Sequence, residues 1–207
     1  MDTPLTAFRC ISCGRSHDPA RVRYVCPDCG PRRGNLEVRY DLDRVRRALT
    51  REALAQDPTP SMWRYLPVLP VSRRFLQPLQ VGWTPLYAFE GVAREHGVGA
   101  LYVKDDGRNP TASYKDRASA LVVVKAQELG IETLACASTG NAASSMAGYA
   151  AATPLQSVIF VPASAPEAKV TQLLIYGARV FAVEGSYDQA YDLCSEAVEA
   201  FGWYNRS

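Results

Sequence analysis

From residue 101 onward the chain switches between two rhythms. Short apolar runs, "LYVK" (101–104), "TLACA" (133–137), "SVIFV" (157–161) and "RVFAV" (179–183), read as strands. Between them, residues recur at helical spacing. Ala118, Leu121, Val122, Lys125 and Leu129 line up ahead of Gly130, which stands where a C-terminal cap is expected. An alanine-rich helix is predicted from about Ala142 to Ala152. Another follows the 157–161 strand, with Pro166 near its first position, where proline is tolerated. "SYDQAYDLCSEAVEAFG" is the last, with Ser186 and Gln189 spaced as a capping box. Alternating strand and helix predicts an α/β fold, a parallel sheet with flanking helices and right-handed crossovers.

The first eighty residues lack that rhythm. "DLDRVRRALTREAL" (41–54) predicts one short helix. "DPTPSMWRYLPVLPVSRRFLQPLQ" (57–80), with its five prolines, predicts extended chain and turns lying over a surface. The expected organisation is a cysteine-bearing module over 1–40, a helix and proline-rich connector over 41–80, and the α/β part over 81–207.

Composition narrows the function. At 47% hydrophobic and 21% charged, the chain can bury a core, and a formal charge of +2 gives no overall pull toward nucleic acid or membrane. No apolar run approaches a membrane span, and "MDTPLTAFRC" is not a signal peptide, so a cytoplasmic protein with reduced thiols is expected. Residues 1–51 carry eleven arginines against six acids, but arginine and acid alternate in "VRYDLDRVRR", which reads as solvated charge. The only lysines are Lys104, Lys115, Lys125 and Lys169, which makes each of them conspicuous.

"CISCGRSHDPARVRYVCPDCG" places Cys10 and Cys13, then Cys26 and Cys29, as two CxxC pairs twelve residues apart. That spacing suits tetrahedral thiolate ligation of zinc, as in zinc ribbons. With four cysteines and no open position, such a site is structural. Paired disulfides are disfavoured by a reducing compartment, and no thioredoxin-like strand and helix flank either pair. Cys136 and Cys194 read as small buried apolar residues.

Two loops carry candidate chemistry. Ser113 and Asp116 have capping-box spacing, which starts a helix near Tyr114 and puts Lys115 in its first turn. The helix dipole disfavours an ammonium there, so the amine is more easily freed as a nucleophile. In "ASTGNAASS", a strand runs through Ser138, Thr139, Gly140 and Asn141 into a helix. Gly140 lets the backbone approach a ligand, and the free amides of the helix start can hold an anion. Each feature alone has an ordinary reading: helix capping for the loop, and a solvent-exposed ion pair with Asp116 or Asp106 for Lys115. Together they suit a carbonyl-bearing anionic cofactor such as pyridoxal phosphate, an electron sink for carbanions. GxGxxG, GxxxxGK[ST] and GxSxG are not found, and His17 and His96 are the only histidines available as bases.

With "GWTPLY" (82–87), "LYVKDDGRNPTASYKDR", "ASTGNAASSMAGYAA" and "GWYNRS", the chain resembles threonine synthases, pyridoxal-phosphate enzymes of fold type II, related to tryptophan synthase β. "CPDCG…NLEVRYDLD" is similar to that family's cysteine-bearing N-terminal extension, and "SMWRYLPVLPV" to the segment after it. The resemblance implies that Lys115 is the Schiff-base lysine and later shuttles protons at the substrate α and β carbons. It implies that Asn141 bonds the phenolic oxygen of the cofactor, and that Ser113 lies near cofactor or substrate. Ser138, Thr139, Gly140 and Asn141, with the amide of Ala142, are implied to hold the substrate. The implied reaction turns O-phospho-L-homoserine and water into threonine and phosphate, with a small molecule as the partner and a monomer or homodimer as the assembly.

Two departures matter. The commoner family form is Gly-Ser-Phe-Lys, where this chain has Ala112 and Tyr114. The family's glycine-rich phosphate loop, and its later Ser/Thr contact to the pyridine nitrogen, do not occur before Ser207. The expectation is an N-terminal portion, with an incomplete fold and no activity alone. A related β-replacement enzyme such as cysteate synthase, and a non-catalytic zinc-binding fragment, are the alternatives.

Overall fold

The structure, a computed structural model, describes residues 3–207. They fall into two units: one runs to Thr59 and includes Trp63–Ser72, the other is Pro60–Met62 with Arg73–Ser207.

In the first unit, β1 (Leu5–Cys10) pairs with β2 (Ser16–His17), and after the short helix α1 (Gly30–Arg33) with β3 (Leu36–Tyr40). The resulting antiparallel sheet has the order β2-β1-β3. The single helix expected over 41–54 is two, α2 (Leu42–Ala48) and α3 (Arg51–Gln56). The Asp41 carboxylate caps the first by accepting from the Arg44 amide at 2.9 Å, and Thr50 Oγ1 opens the second by accepting from the Ala53 amide at 3.1 Å. A threonine whose hydroxyl takes a backbone donor restarts the helix rather than continuing it. The connector also differs from expectation. It forms 3-10 turns at Met62–Val68 and Arg73–Phe75, and Met62, Trp63 and Val71 are buried.

In the second unit, β4 (Leu86–Ala88) and β5 (Tyr102–Lys104) pair antiparallel around α4 (Glu90–Glu95). The 101–104 run is therefore a strand outside the parallel sheet, contrary to the expected alternation. Helix α5 (Lys115–Glu128) leads into β6 (Thr133–Ala137), α6 (Asn141–Ala150), β7 (Gln156–Pro162), α7 (Glu167–Ile175), β8 (Arg179–Val183), α8 (Tyr187–Phe201) and β9 (Tyr204–Asn205). All pairings among these strands are parallel, in the order β8-β7-β6-β9. The predicted capping box of α8 is present: Ser186 Oγ accepts from the Gln189 amide at 3.3 Å and Gln189 Oε1 from the Ser186 amide at 2.8 Å.

β6 and β7 are buried along almost their whole length, as central parallel strands are when helices cover both faces. Ala190 and Cys194 of α8 pack on Ala135, Ala137, Val158 and Phe160, with Val183, Ala197, Val198 and Trp203 around them. Right-handed crossovers put α6 and α7 on one face of the sheet and α8 on the other. The chain steps outward from β6 to β7 to β8, and α8 then carries it back past β6 to β9. β6 and β9 thus flank a topological switch point, where sheets of this kind open a crevice beyond the carboxyl ends of their strands. Among the described residues no helix is long and apolar enough to cross a membrane.

Candidate functional site

The loop at that switch point is Ser138–Gly140. Ser138 Oγ accepts from the Gly140 amide at 3.1 Å, folding the loop tightly before α6 begins at Asn141. Gly140 caps α6 without a side-chain bond, and the first amides bonded within the helix are those of Ala143 and Ser144, to Gly140 O. The amides of Asn141 and Ala142 are left as the donors a helix start offers an anion. Ser138, Thr139, Gly140 and Ala142 are partly exposed and Asn141 is exposed.

α5 ends where β6 begins, through Ile131 and Glu132, so it runs back along the sheet and its N-terminus lies toward the carboxyl end of β6, as does that of α6. Lys115 is the first residue of α5. The expected capping box is not formed. Asp116 turns back instead and accepts from the Thr111 amide at 2.7 Å and from the Thr111 hydroxyl. Ser113, buried, accepts from the Lys115 amide at 3.1 Å. The ion pair considered for Lys115 is also absent. Lys115 Nζ donates to the Tyr114 hydroxyl at 2.9 Å and sits 4.7 Å from the centre of that ring. The lysine draws the Tyr114 hydroxyl below the usual tyrosine range, and the charge of Arg206, just past β9, acts in the same direction.

A rigid frame holds this turn. Arg117 grips Asp106 through Nε at 2.9 Å and a terminal nitrogen at 2.8 Å, while Thr84 Oγ1 donates to the same carboxylate at 2.6 Å. These partners, the arginine foremost, hold Asp106 down at about 2. Asn109 Oδ1 accepts from the Gly82 amide at 2.9 Å, and a Cβ on Gly82 would come within 2.7 Å of Arg117. Ala112 has φ 57°, the left-handed region that glycine fills without strain. On α6, a Cβ at Gly148 would lie 2.6 Å from Thr111 Cγ2, so the small residue lets the turn pack against that helix.

Two features escaped the sequence. Asp106, an expected partner for Lys115, clamps Arg117 instead. Arg206 follows a two-residue strand that has no periodicity to reveal it, and its Nε is buried with no partner among the described residues. Cys136 and Cys194 are buried as expected, and burial pushes both thiols to about 11, away from reactivity.

The four other cysteines come together in the first unit. Cys10 and Cys29 sulfurs lie 3.8 Å apart, as do those of Cys13 and Cys26, all four are free thiols, and all four lie within 4.8 Å of one another.

Residues 78–207 match the family described as pyridoxal-phosphate dependent enzyme. The chain belongs to that family. It is 38% identical over 190 residues to the threonine synthase of Methanocaldococcus jannaschii, covering 91% of this chain and 46% of that protein. It is 39% identical over 194 residues to the threonine synthase of Methanosarcina acetivorans, with the same shares. The chain therefore spans about half the length of these curated relatives. Among solved structures, an O-ureido-L-serine synthase superposes with a TM-score of 0.54 at 26% identity, over 59% of this chain and 40% of that one. Diaminopropionate ammonia lyase from Escherichia coli, at 22% identity and a TM-score of 0.54 over 59% of this chain and 36% of that one, shares the fold.

The residues present suit such a cofactor. A primary amine is held at a helix start by a hydroxyl, and a helix N-terminus with free amides faces the same edge of the sheet. The buried, unpartnered Arg206 Nε adds a cation suited to an anionic group.

Proposed function

We propose that this chain carries the lysine-bearing part of a threonine synthase, which converts O-phospho-L-homoserine and water to threonine and phosphate by γ-elimination followed by addition of water at the β carbon. The observation that carries the reading is Lys115 at the start of α5, on the switch-point edge of a chain similar to threonine synthases over 91% of its length. Bound pyridoxal phosphate would supply an electron sink for charge developing at the substrate α and β carbons.

The remaining work falls to this chain's side chains. In this reading Lys115 holds the cofactor covalently and its Nζ, once released, moves protons at those two carbons. Asn141 bonds the phenolic oxygen of the cofactor, and Ser113 supports the turn beside it. Ser138, Thr139, Gly140 and the Ala142 amide hold the substrate carboxylate, in the manner of an anion at a helix start. The Tyr114 hydroxyl, 2.9 Å from Lys115 Nζ, gives that amine a fixed place to rest.

That hydroxyl also favours a second reading. Where the commoner family form has phenylalanine, Tyr114 brings a polar group beside the reacting amine, a change that bears on substrate preference; the second reading keeps the cofactor and takes O-phospho-L-serine in a β-replacement, as cysteate synthase does. Assaying phosphate release from phosphohomoserine against phosphoserine separates the two.

The cofactor assignment is tested by reducing the protein with borohydride in the presence of pyridoxal phosphate and mapping the labelled peptide. The phosphopyridoxyl group is expected on Lys115, with Lys104, Lys125 and Lys169 unmodified, and Lys115→Ala should abolish it. Label spread over all four lysines, or unchanged in the variant, would sink the assignment.

A further inference from the structure

We propose that Cys10, Cys13, Cys26 and Cys29 bind one zinc ion, and that this ion takes the place of an apolar core for residues 4–40. The proposal is independent of the cofactor reading. It begins from distance. A zinc–sulfur bond of about 2.3 Å in a regular tetrahedron sets neighbouring sulfurs about 3.8 Å apart. Two opposite edges of the cluster, Cys10–Cys29 and Cys13–Cys26, both measure 3.8 Å, and no pair of the four sulfurs is further apart than 4.8 Å. A disulfide would need about 2 Å, and none is formed.

The backbone is shaped to the same end. Each CxxC is followed by a glycine in the left-handed region, Gly14 with φ 74° and Gly30 with φ 66°. The Gly14 amide closes on Cys10 O at 2.9 Å, and the Gly30 amide closes on Cys26 O at 2.9 Å. Two turns of matching construction thus present their sulfurs to one point. The Gly34 backbone seals one side: a Cβ there would lie 2.5 Å from Gly30 O and 2.8 Å from the Cys26 amide. Cys13 is exposed, which leaves a path for a metal to enter.

Burial makes the cross-link necessary. From residue 3 to 59, Pro4, Cys10, Cys26 and Gly34 are the only buried residues, and the buried apolar side chains of the unit, Trp63 and Val71, come from beyond that segment. Within the segment, the two cysteines alone contribute buried side chains of any chemical use, and both are ligands of the proposed site. A segment this small with no apolar interior needs a disulfide or a metal to hold one structure.

A competing set, His17, Cys26 and Asp28, also lies within reach of one ion. It has three ligands, shares Cys26 with the first set, and has its carboxylate engaged by Arg15 at 2.8 Å. The four thiols make the closed site, which assigns His17 and Arg15 to its surround. His17 Nε2 is buried without a partner among the described residues, and beside thiolates on zinc an imidazole N–H and a guanidinium offset the excess negative charge.

The test is elemental analysis of the full chain purified under reducing conditions, followed by replacement of the metal with cobalt. One zinc per chain is expected, and cobalt should show the intense ligand-field bands of a tetrahedral tetrathiolate. Cys10→Ser and Cys13→Ser should lose the metal, and His17→Ala should keep it. Because the cobalt spectrum is read on the unmodified chain, failure of a variant to fold does not decide the matter. No stoichiometric metal with all thiols reduced would overturn the proposal. So would a cobalt spectrum of octahedral or nitrogen–oxygen type, or metal lost in His17→Ala and kept in Cys13→Ser.

Discussion

In β6 and β7 every residue from Leu134 to Ala137 and from Ser157 to Val161 is buried, whereas residues 3–59 bury two cysteines, a proline and a glycine. The parallel sheet is held by the removal of apolar surface from water, a force that is non-directional and spread over many side chains. The cysteine module has almost no such surface to remove. It depends instead on four sulfurs meeting at one point, so its stability is concentrated and conditional on what they bind. The two regions should therefore fail under different insults.

The largest expected effect separates them directly. Structural zinc in small modules contributes roughly 10–16 kcal/mol of apparent binding free energy, comparable to the whole stability of an ordinary domain. Removal of the metal by a chelator should abolish amide protection in β1 and β3 and leave β6 and β7 protected, as read by hydrogen exchange. Protection of β1 unchanged after proven metal loss would end the contrast. The converse insult is Ile159→Ala. Ile159 is fully buried in β7, and truncation at such a site costs roughly 2–5 kcal/mol. Its unfolding free energy, taken from denaturant titration, should fall by that amount while metal content per chain stays constant.

The same contrast explains what could be read from the residues in advance. From 133 to 201 local pattern and global fold agree, because parallel strands buried on both faces are continuous apolar runs and the last helix, α8, opens on its Ser186 cap. The 101–104 strand was legible as a strand but not in its pairing. Its partner Leu86–Ala88 is three exposed residues with no alternation, so nothing local told that the pair stands outside the main sheet. At the site, the anion-binding loop and Lys115 were visible as residue types in order along the chain. The bonds that set their geometry were not, because the sequence offers each side chain several partners. Asp116 could have capped α5 and instead ties down Thr111, and Tyr114, not an acid, takes the lysine.

The Asp106–Arg117 clamp gives a smaller, pH-dependent effect on the sheet-bearing unit. The Arg117 guanidinium holds Asp106 at about 2, below its ordinary value of 3.8. A depressed carboxylate contributes stability that is complete above its unfolded value and is lost as the pH falls from about 4 toward 2. Both partners are partly exposed, so solvent screening limits the contribution to on the order of 1 kcal/mol. Denaturation midpoints measured between pH 6 and pH 2.5 should fall less steeply for Asp106→Asn than for the parent chain. Parallel curves would show that the clamp is not a source of that slope.

The smallest effect lies in the turn that presents Lys115. Ala112 adopts φ 57°, a conformation that costs a residue with a Cβ roughly 1–2 kcal/mol relative to glycine. Its amide is nevertheless fixed, donating to Asn109 O at 2.8 Å, and the neighbouring Ser113 is buried and bonded to the Lys115 amide. The surroundings therefore hold the strained residue in place rather than letting it relax. Ala112→Gly would remove the strain but widen the unfolded ensemble, which returns up to about 1 kcal/mol. The net expectation is a gain of about 0.5 kcal/mol in unfolding free energy, with the turn otherwise unchanged, since the exposed Ala112 leaves little packing to lose. A loss of stability would mean that the Ala112 methyl makes a contribution larger than its backbone strain. The borohydride label on Lys115 should keep its position in the variant, because the bonds that set the lysine come from Ser113 and Tyr114 and not from residue 112.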